Sequence, residues 1–148
     1  MMRLLFLLLF SSFSLYGAAY WTLSGIDKAN IYVRNGVDSL KPKSIKIIKQ
    51  KMLSMLQKEN IKTNQQDSPI LMVKLDELEN EGIHYVYVTL ALGENVHTFR
   101  KDKSNTFALT YDSHDFIDAD AGELDNEILG SIDFLLAQFS KHFEDDKD

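Results

Sequence analysis

Residues 111–123 concentrate the side chains of this chain that could perform chemistry. The segment holds five carboxylates and one histidine. Carboxylate oxygens and a neutral imidazole are the ligands that a hard or borderline divalent cation needs, and a loop between a strand and a helix lets such ligands converge. The sequence therefore offers one candidate metal site, and with it a metal-assisted hydrolase, in an acidic loop over residues 112–120. Its ligands would be Asp112, His114, Asp115 and Asp118.

The specific metal-binding patterns are absent from this segment. An EF-hand requires glycine at the sixth loop position, but Gly122 would place position one at the apolar Ile117. No His-Glu-x-x-His pattern occurs in the chain. Asp120 and Glu123 also fit the start of a helix, where acidic side chains accept hydrogen bonds from free N–H groups. We therefore expect an acidic surface loop without a metal ion.

Other catalytic and cofactor signatures are missing as well. The chain has no cysteine and no Gly-x-Ser-x-Gly elbow. Ser113 and His114 are neighbours, and neighbouring side chains in an extended segment point apart. No glycine-rich phosphate loop is present. The sequence therefore predicts no catalytic residue and no cofactor, and it favours a protein that acts by binding.

Two segments of the chain repeat apolar residues at helical spacing, and as helices they could position a binding or metal site. The first begins near Pro42, a residue that suits the first turn of a helix, and the second follows Asp120. Residues 38–62 hold seven lysines, whereas residues 115–148 hold eleven acids. These charges predict two solvated helix faces that attract each other, with a partner-docking surface as the alternative. The apolar stripes are Ile45, Ile48, Met52, Met55 and Leu56, then Leu124, Ile128, Ile132, Leu135 and Phe139.

Four other segments alternate apolar and polar residues, as strands do. Gly93 predicts a bulge or bend in the third of them. Residues 79–82 have the composition of a tight turn, which predicts a hairpin between the second and third strands. The predicted strands cover residues 29–34, 69–76, 85–100 and 106–111.

The order strand-helix-strand-strand-strand-helix predicts an α+β fold with two layers. Each helix must bury its apolar stripe, and one face of the sheet is the surface available for both. A crossover through the first helix places the first strand parallel to a neighbour, which gives a four-stranded mixed sheet. This layout resembles that of small envelope accessory domains, including the lipopolysaccharide-assembly lipoprotein class. The likeness is one of element order, and it adds no site residue.

The alternation divides the side chains of the sheet between two faces. The face expected under the helices holds Ile31, Val33, Leu71, Val73, Leu75, Val86, Val88, Leu90, Phe107 and Leu109. The open face then carries tyrosine rings, which supply contact area at low entropic cost, although such residues are also ordinary on the wet side of a sheet. The residues proposed to bind a partner there are Tyr32, Met72, Lys74, Tyr85 and Tyr87.

The N-terminus predicts export. Arg3 precedes an apolar run over residues 4–16, and the small residues Gly17 and Ala19 suit a signal peptidase. We expect residues 1–19 to be a cleaved signal peptide, 20–143 a single domain and 144–148 an acidic flexible tail. The alternative is a retained membrane anchor, because no charge occurs from residue 4 to residue 26. No lipoprotein is expected, since the chain has no cysteine to acylate.

The net charge of −6 limits the possible partners. An acidic chain does not favour non-specific binding to nucleic acid or to anionic lipid. The sequence therefore predicts a periplasmic or secreted accessory module that binds an envelope protein without enzymatic activity and is not stably inserted in the membrane after cleavage. Its alternatives are the metal-assisted hydrolase and a carrier that holds a small apolar ligand between helices and sheet.

Overall fold

The computed structural model describes residues 22–147, so the predicted signal peptide lies outside the described residues. The described chain contains four strands and two helices in the predicted order. Their bounds are β1 Asn30–Gly36, α1 Pro42–Lys58, β2 Ile70–Asn80, β3 Ile83–His97, β4 Asn105–Asp120 and α2 Leu124–Asp145. No helix among residues 22–147 is long and apolar enough to span a bilayer.

The strands form one mixed sheet in the order β1-β2-β3-β4. β1 is parallel to β2, because α1 carries the chain back between them, and the other neighbours are antiparallel. β1 and β4 are therefore the edge strands. The α+β fold with a four-stranded mixed sheet is confirmed.

Both helices lie on the same face of this sheet, and the core lies between the two layers. The stripe of each helix is buried against alternate residues of the strands, as their periodicities require. The fully buried side chains at this junction include Ile48, Met52, Leu71, Val73, Val86, Val88, Ile128, Ile132 and Phe139.

The two helices also attract each other by charge. The Lys51 ammonium donates to both carboxylate oxygens of Asp133, at 2.6 and 2.8 Å. Lys41 lies 3.6 Å from the Asp125 carboxylate, which also accepts a hydrogen bond from Ser44. Lys51 of α1 and Lys41, just before it, thus face acids of α2, as the opposite charges of the two segments predicted.

The β2–β3 connection is the predicted tight hairpin. Asn80 pairs with Ile83, which leaves Glu81 and Gly82 as a two-residue turn. Both turn residues have positive φ, 54° and 82° respectively. A turn of this kind matches the right-handed twist of the flanking strands, and glycine adopts the conformation without a steric penalty.

β4 is longer than the sequence predicted. The segment expected to be an acidic loop over residues 112–120 continues the strand as far as Asp120 and pairs with β3 throughout. Aspartate is unfavourable in strands, which is why the segment resembled a loop. Tyr111 and Ala119 nevertheless alternate onto the covered face, where both are buried, and this burial with the β3 ladder stabilises the strand.

A bulge in β4 corrects the predicted faces. Leu92 pairs with Tyr111 and Gly93 pairs with Leu109, so Thr110 is an extra residue without a partner. A bulge is therefore present beside Gly93, but its extra residue lies in β4 and not in the third strand, where the sequence predicted it. The extra residue shifts the alternation, so the prediction that Phe107 and Leu109 belong to the core is wrong. They are 51% and 53% exposed on the open face.

The C-terminal residues are tied to the start of the described chain. α2 continues through residues 144 and 145, which the sequence placed in a tail. The Leu23 N–H donates to the Asp146 carboxylate at 2.7 Å. The Lys147 ammonium lies 4.2 Å from the centre of the Phe143 ring and 3.5 Å from the Glu59 carboxylate. These contacts close the end of the core between the two helices.

Candidate functional site

The candidate site is the open face of the sheet, on the side opposite the helices. Strand pairing places Tyr32 beside Met72, and Tyr85 and Tyr87 alternate onto the same face two residues apart. Lys74 follows Met72 on this face. All five residues singled out in the sequence therefore share one surface.

An aromatic depression occupies one end of the open face and is formed by Leu78, Tyr85, Tyr87 and Phe116. The rings of Tyr85 and Phe116 stack with their centres 6.2 Å apart and their planes 19° apart. Leu78 is 68% exposed, because it lies near the end of β2 where no helix or strand covers it. With Asp76 and Glu77 these four side chains line a shallow depression of about 460 Å³.

A second apolar cluster occupies the other end and is formed by Tyr32, Met72, Phe107 and Leu109. The Phe107 ring lies directly over Gly93. A methyl group added to Gly93 would lie 2.3 Å from a ring carbon of Phe107 and 3.0 Å from the Met72 methyl carbon. The ring therefore occupies the space that a side chain at position 93 would fill, and glycine is required for this contact.

A charged band separates the two apolar clusters. Arg34 forms an ion pair with Asp76 on the neighbouring strand, and Lys74 lies beside Arg34 in the sheet register. On β4 the His114 ring tilts against Tyr87, with ring centres 5.2 Å apart. Cations thus lie toward β1 and β2, while the β4 edge carries Asp112, Asp118 and Asp120.

The floor of the open face is closed. Thr89 is 8% exposed and Ala91 is fully buried, although neither is covered by a helix. Longer side chains on the neighbouring strands cover these two small residues. The open face is therefore a continuous surface, with Thr89 and Ala91 at its centre and larger side chains on either side.

The proposed metal ligands do not converge. Successive strand residues point to opposite faces, so Asp112, His114 and Asp118 lie on the open face and Asp115 on the other. Asp112 and Asp118 are six strand residues apart, about 20 Å. Among residues 22–147 no group of three or more histidine or acidic side chains could hold a metal ion.

An edge strand offers another physical role for these acids. The outer side of β4 presents unpaired backbone groups that could pair with another chain. Charged side chains and bulges are the common protection against such pairing. The aspartates of β4, together with the bulge at Thr110, supply both.

Two pairs of ionisable groups lie on the covered face. His84 Nδ1 and Glu77 Oε1 are 2.6 Å apart at the hairpin end of the sheet. At the other end, the Tyr111 hydroxyl lies 3.3 Å from His142 Nδ1, and burial raises the pKa of Tyr111 above its usual 10.0. The first pair joins two strands and the second joins β4 to α2, and neither faces an open cavity.

A groove also runs between the outer faces of α1 and α2, with a volume of about 580 Å³. The Lys51–Asp133 ion pair crosses this groove. Met55 and Leu136, which also line it, are each less than one tenth exposed. The groove is therefore lined by both polar and apolar side chains, and it lacks the large exposed rings of the open face.

Four apolar contributors to the open face were not identified from the sequence: Phe107, Leu109, Phe116 and Leu78. The first two were assigned to the core because the bulge was not placed in β4. Phe116 fell within the presumed loop, although phenylalanine and isoleucine at 116 and 117 are residues that strands favour and were a usable signal.

Comparison with known proteins assigns no family. No protein-family model matches the chain, and the search of curated proteins finds no match. Functional inference therefore depends on the surface that the described residues form.

Proposed function

We propose that this protein is a non-enzymatic binding module of the cell envelope, exported by residues 1–19, which binds another protein through the open face of its sheet. The observation that carries this proposal is the exposure of large apolar side chains on that single face. Their exposed fractions are Tyr32 53%, Leu78 68%, Tyr87 41%, Phe107 51%, Leu109 53% and Phe116 60%.

The number and placement of these side chains favour a protein interface. Single exposed apolar residues are ordinary, but grouped ones mark interaction sites. Four strands spaced about 4.8 Å apart and averaging about twelve residues give a face of roughly 800 Å². A standard protein interface buries about 800 Å² on each partner. The open face therefore has the area and the aromatic anchors that protein recognition uses.

The positions of the exposed side chains on the open face also indicate what surface a partner would present. Phe116 and Leu109 stand about six strand residues apart, which is roughly 20 Å. A complementary surface would present two apolar groups at that spacing, with acceptors for Lys74 and donors for Asp112 between them. A folded protein meets these requirements better than a small molecule, because small-molecule sites are usually concave pockets that enclose the ligand.

The alternatives have less support. A metal-assisted hydrolase would need Asp115 on the same face as Asp112 and His114. An apolar-ligand carrier would need space between helices and sheet, where Met52, Phe139 and their neighbours are fully buried against one another.

Capture from envelope extracts tests the proposal. Replacing the three open-face tyrosines by serine should abolish copurification of the partner while leaving thermal unfolding cooperative, because a few aromatic anchors carry most interface energy. Phe134→Ser is the matched control, since Phe134 is 50% exposed on α2. The tested set is Tyr32→Ser, Tyr85→Ser and Tyr87→Ser.

A competing outcome would relocate the interface. If the triple variant retains every partner, while Glu144→Gln with Asp145→Asn loses them, the closing helix is the docking site and the open face is not. If both variants retain the partners, neither surface binds them.

Processing is tested separately. Exported protein should begin at Tyr20, because signal peptidase cleaves after a small residue such as Ala19. N-terminal sequencing of material from the exported fraction checks this. Recovery of Met1 or Met2 on membrane-embedded protein would contradict cleavage and favour the anchor.

A further inference from the structure

The β3–β4 connection presents an exposed aromatic ring among cations. Phe99 is 108% exposed, so its whole ring is in solvent. Arg100, Lys101 and Lys103 surround it in sequence and are all exposed, and Asp102 is the one acid of the segment. The local charge of +2 contrasts with the net charge of −6 for the chain. Within residues 22–147 none of these three cations has an ion-pair partner.

The connection is a defined tip that holds these side chains together. The Thr98 N–H donates to the Ser104 carbonyl at 3.0 Å, and the Lys103 N–H donates to the Arg100 carbonyl at 2.9 Å. Lys103 has a φ of 46°, which turns the chain back toward β4. We call residues 98–104 the basic tip.

The start of the described chain lies toward the same end of the sheet. The Thr22 N–H donates to the Thr110 carbonyl on the β4 edge. Leu109 is four ladder steps from Asn105, so the bulged Thr110 lies about 14 Å from the basic tip. Phe107 and Leu109 are exposed between these two points.

The acids at the end of α2 lie beyond one Debye length of the tip, so salt screening weakens their effect on its charge. His142 contacts Tyr111, which pairs with Leu92 and is therefore five ladder steps, or about 17 Å, from Asn105. This distance is about two Debye lengths at physiological salt, each about 8 Å. The positive potential of the tip therefore persists locally although the protein as a whole is acidic.

We propose that the basic tip docks on the surface of a membrane that contains anionic phospholipid. Phe99 enters the headgroup region, and Arg100, Lys101 and Lys103 contact the phosphates. An exposed ring beside cations is the combination that interfacial membrane binding uses, because apolar burial and charge attraction add. With the strands upright on the bilayer, the open face of the sheet remains accessible to a protein partner. This inference does not depend on the proposed function of that face.

A tryptophan reporter tests the contact at the tip itself. Trp21 is the chain's one tryptophan, so Trp21→Phe provides a silent background. In that background, Phe99→Trp should shift its emission to the blue and be quenched by brominated lipid in vesicles of phosphatidylglycerol and phosphatidylcholine. Phosphatidylcholine vesicles alone should produce little change. Phe134→Trp on α2 is the matched control and should respond to neither vesicle.

Vesicle flotation of the exported, purified protein tests how much Phe99 and the lysines of the tip contribute to membrane binding. Phe99→Ser should lower partition onto phosphatidylglycerol vesicles about tenfold, the loss expected from one buried phenyl ring. Lys101→Glu with Lys103→Glu should lower it further and weaken its dependence on salt. Lys43→Glu with Lys46→Glu is the matched control for charge on α1. All variants are purified from the exported fraction with the same N-terminus, so differences report the changed positions.

Two results would overturn the inference. One is a tryptophan at position 99 that is not quenched by anionic vesicles, or is quenched equally by neutral ones. The other is flotation that is lost in the α1 lysine variant and unchanged in the tip variants, which would assign the binding to α1. A tip that binds a protein instead of lipid would also fail the quenching test.

Discussion

The covered and open faces of this sheet share the same four strands but differ in what their large apolar side chains contact. Val88 and Tyr87 are neighbours in β3, yet Val88 is fully buried beneath the helices and Tyr87 is 41% exposed. Hydrophobic residues alone do not explain the difference, because the open face carries several phenylalanine and leucine side chains. The described residues 22–147 contain two helices, and both cover one face. The other face therefore retains apolar surface that a partner can bury.

The polar groups of the two faces differ in the same way. On the covered face, Glu77 contacts His84, and Ser113 donates to the Gln138 side chain at 2.8 Å. Buried polar groups need such partners, because an unpaired one carries a desolvation cost. On the open face Lys74 has water within reach and needs no fixed partner. Contacts within the fold thus fix the polar side chains of the covered face, whereas those of the open face remain available for contacts with a partner.

Charge insertion should separate the two faces most strongly. Val88→Asp places an unpaired carboxylate in the core and should lower the free energy of unfolding by more than about 4 kcal/mol. Tyr87→Ser, one residue away, should change it by less than about 1 kcal/mol because its ring is partly in solvent. Chemical denaturation of both variants checks this. The reverse order would mean that the faces are assigned incorrectly.

Ring removal should give the next largest contrast. Phe139 is fully buried in α2, where it meets Tyr111 edge-on with ring centres 5.2 Å apart. Phe139→Ala should cost about 3–5 kcal/mol of stability. Phe116→Ala removes the same ring from the open face, where it is 60% exposed, and should cost about 1 kcal/mol or less. Equal losses in thermal melts would indicate that Phe116 is covered in solution.

The pH dependence of stability should report the buried tyrosine. Burial raises the pKa of Tyr111 above 10.0, the nearby Asp112 charge also raises it, and a hydrogen bond with Ser113 acts in the opposite direction. The folded protein therefore holds this proton more tightly than the unfolded chain. The stability that results is fully present below pH 10 and is lost as pH rises through the raised pKa.

The size of this effect is measurable by denaturation above pH 10. One proton contributes at most about 1.4 kcal/mol per pH unit to the decline in stability. Tyr111→Phe keeps the buried ring and should make the decline shallower by part of that amount. Tyr32→Phe on the open face is the control for removal of a phenol hydroxyl. An unchanged slope in Tyr111→Phe would show that other groups dominate.

The smallest expected effect concerns divalent cations. Millimolar calcium, magnesium or zinc should not raise the melting temperature, because a cation stabilises only by binding the native state and Asp115 lies on the opposite face from Asp112 and His114. A concentration-dependent rise that disappears in His114→Ala would contradict this and would restore the metal hypothesis.

The sequence predicted those elements whose periodicity is strong. The stripes of α1 and α2 are buried as expected, since an amphipathic helix has one apolar face to bury. The hairpin at Glu81 and Gly82 was equally clear. By contrast, the predicted cap at Asp120 is wrong, because that residue ends β4 and Glu123 precedes the helix without a side-chain cap. Local composition alone did not separate a strand rich in aspartate from a loop.

The candidate site was predicted in part. Tyr32, Met72, Lys74, Tyr85 and Tyr87 were placed on the open face, because strand alternation is a local property that sequence reveals. Phe107 and Leu109 were placed on the wrong face, because their orientation depends on which strand contains the extra residue. That choice is made by the pairing of β4 with β3 and not by either strand alone.

The sequence by itself therefore determined the type and order of the elements and the apolar face of each helix, since these follow from backbone propensity and periodicity within a segment. Tertiary structure alone decided that β4 continues through its aspartates, that Thr110 bulges out of register, and that Phe107 lies over Gly93. Each of these depends on contacts between residues distant in the chain. The free energy of pairing and burial there outweighs the weak local preference of the residues involved.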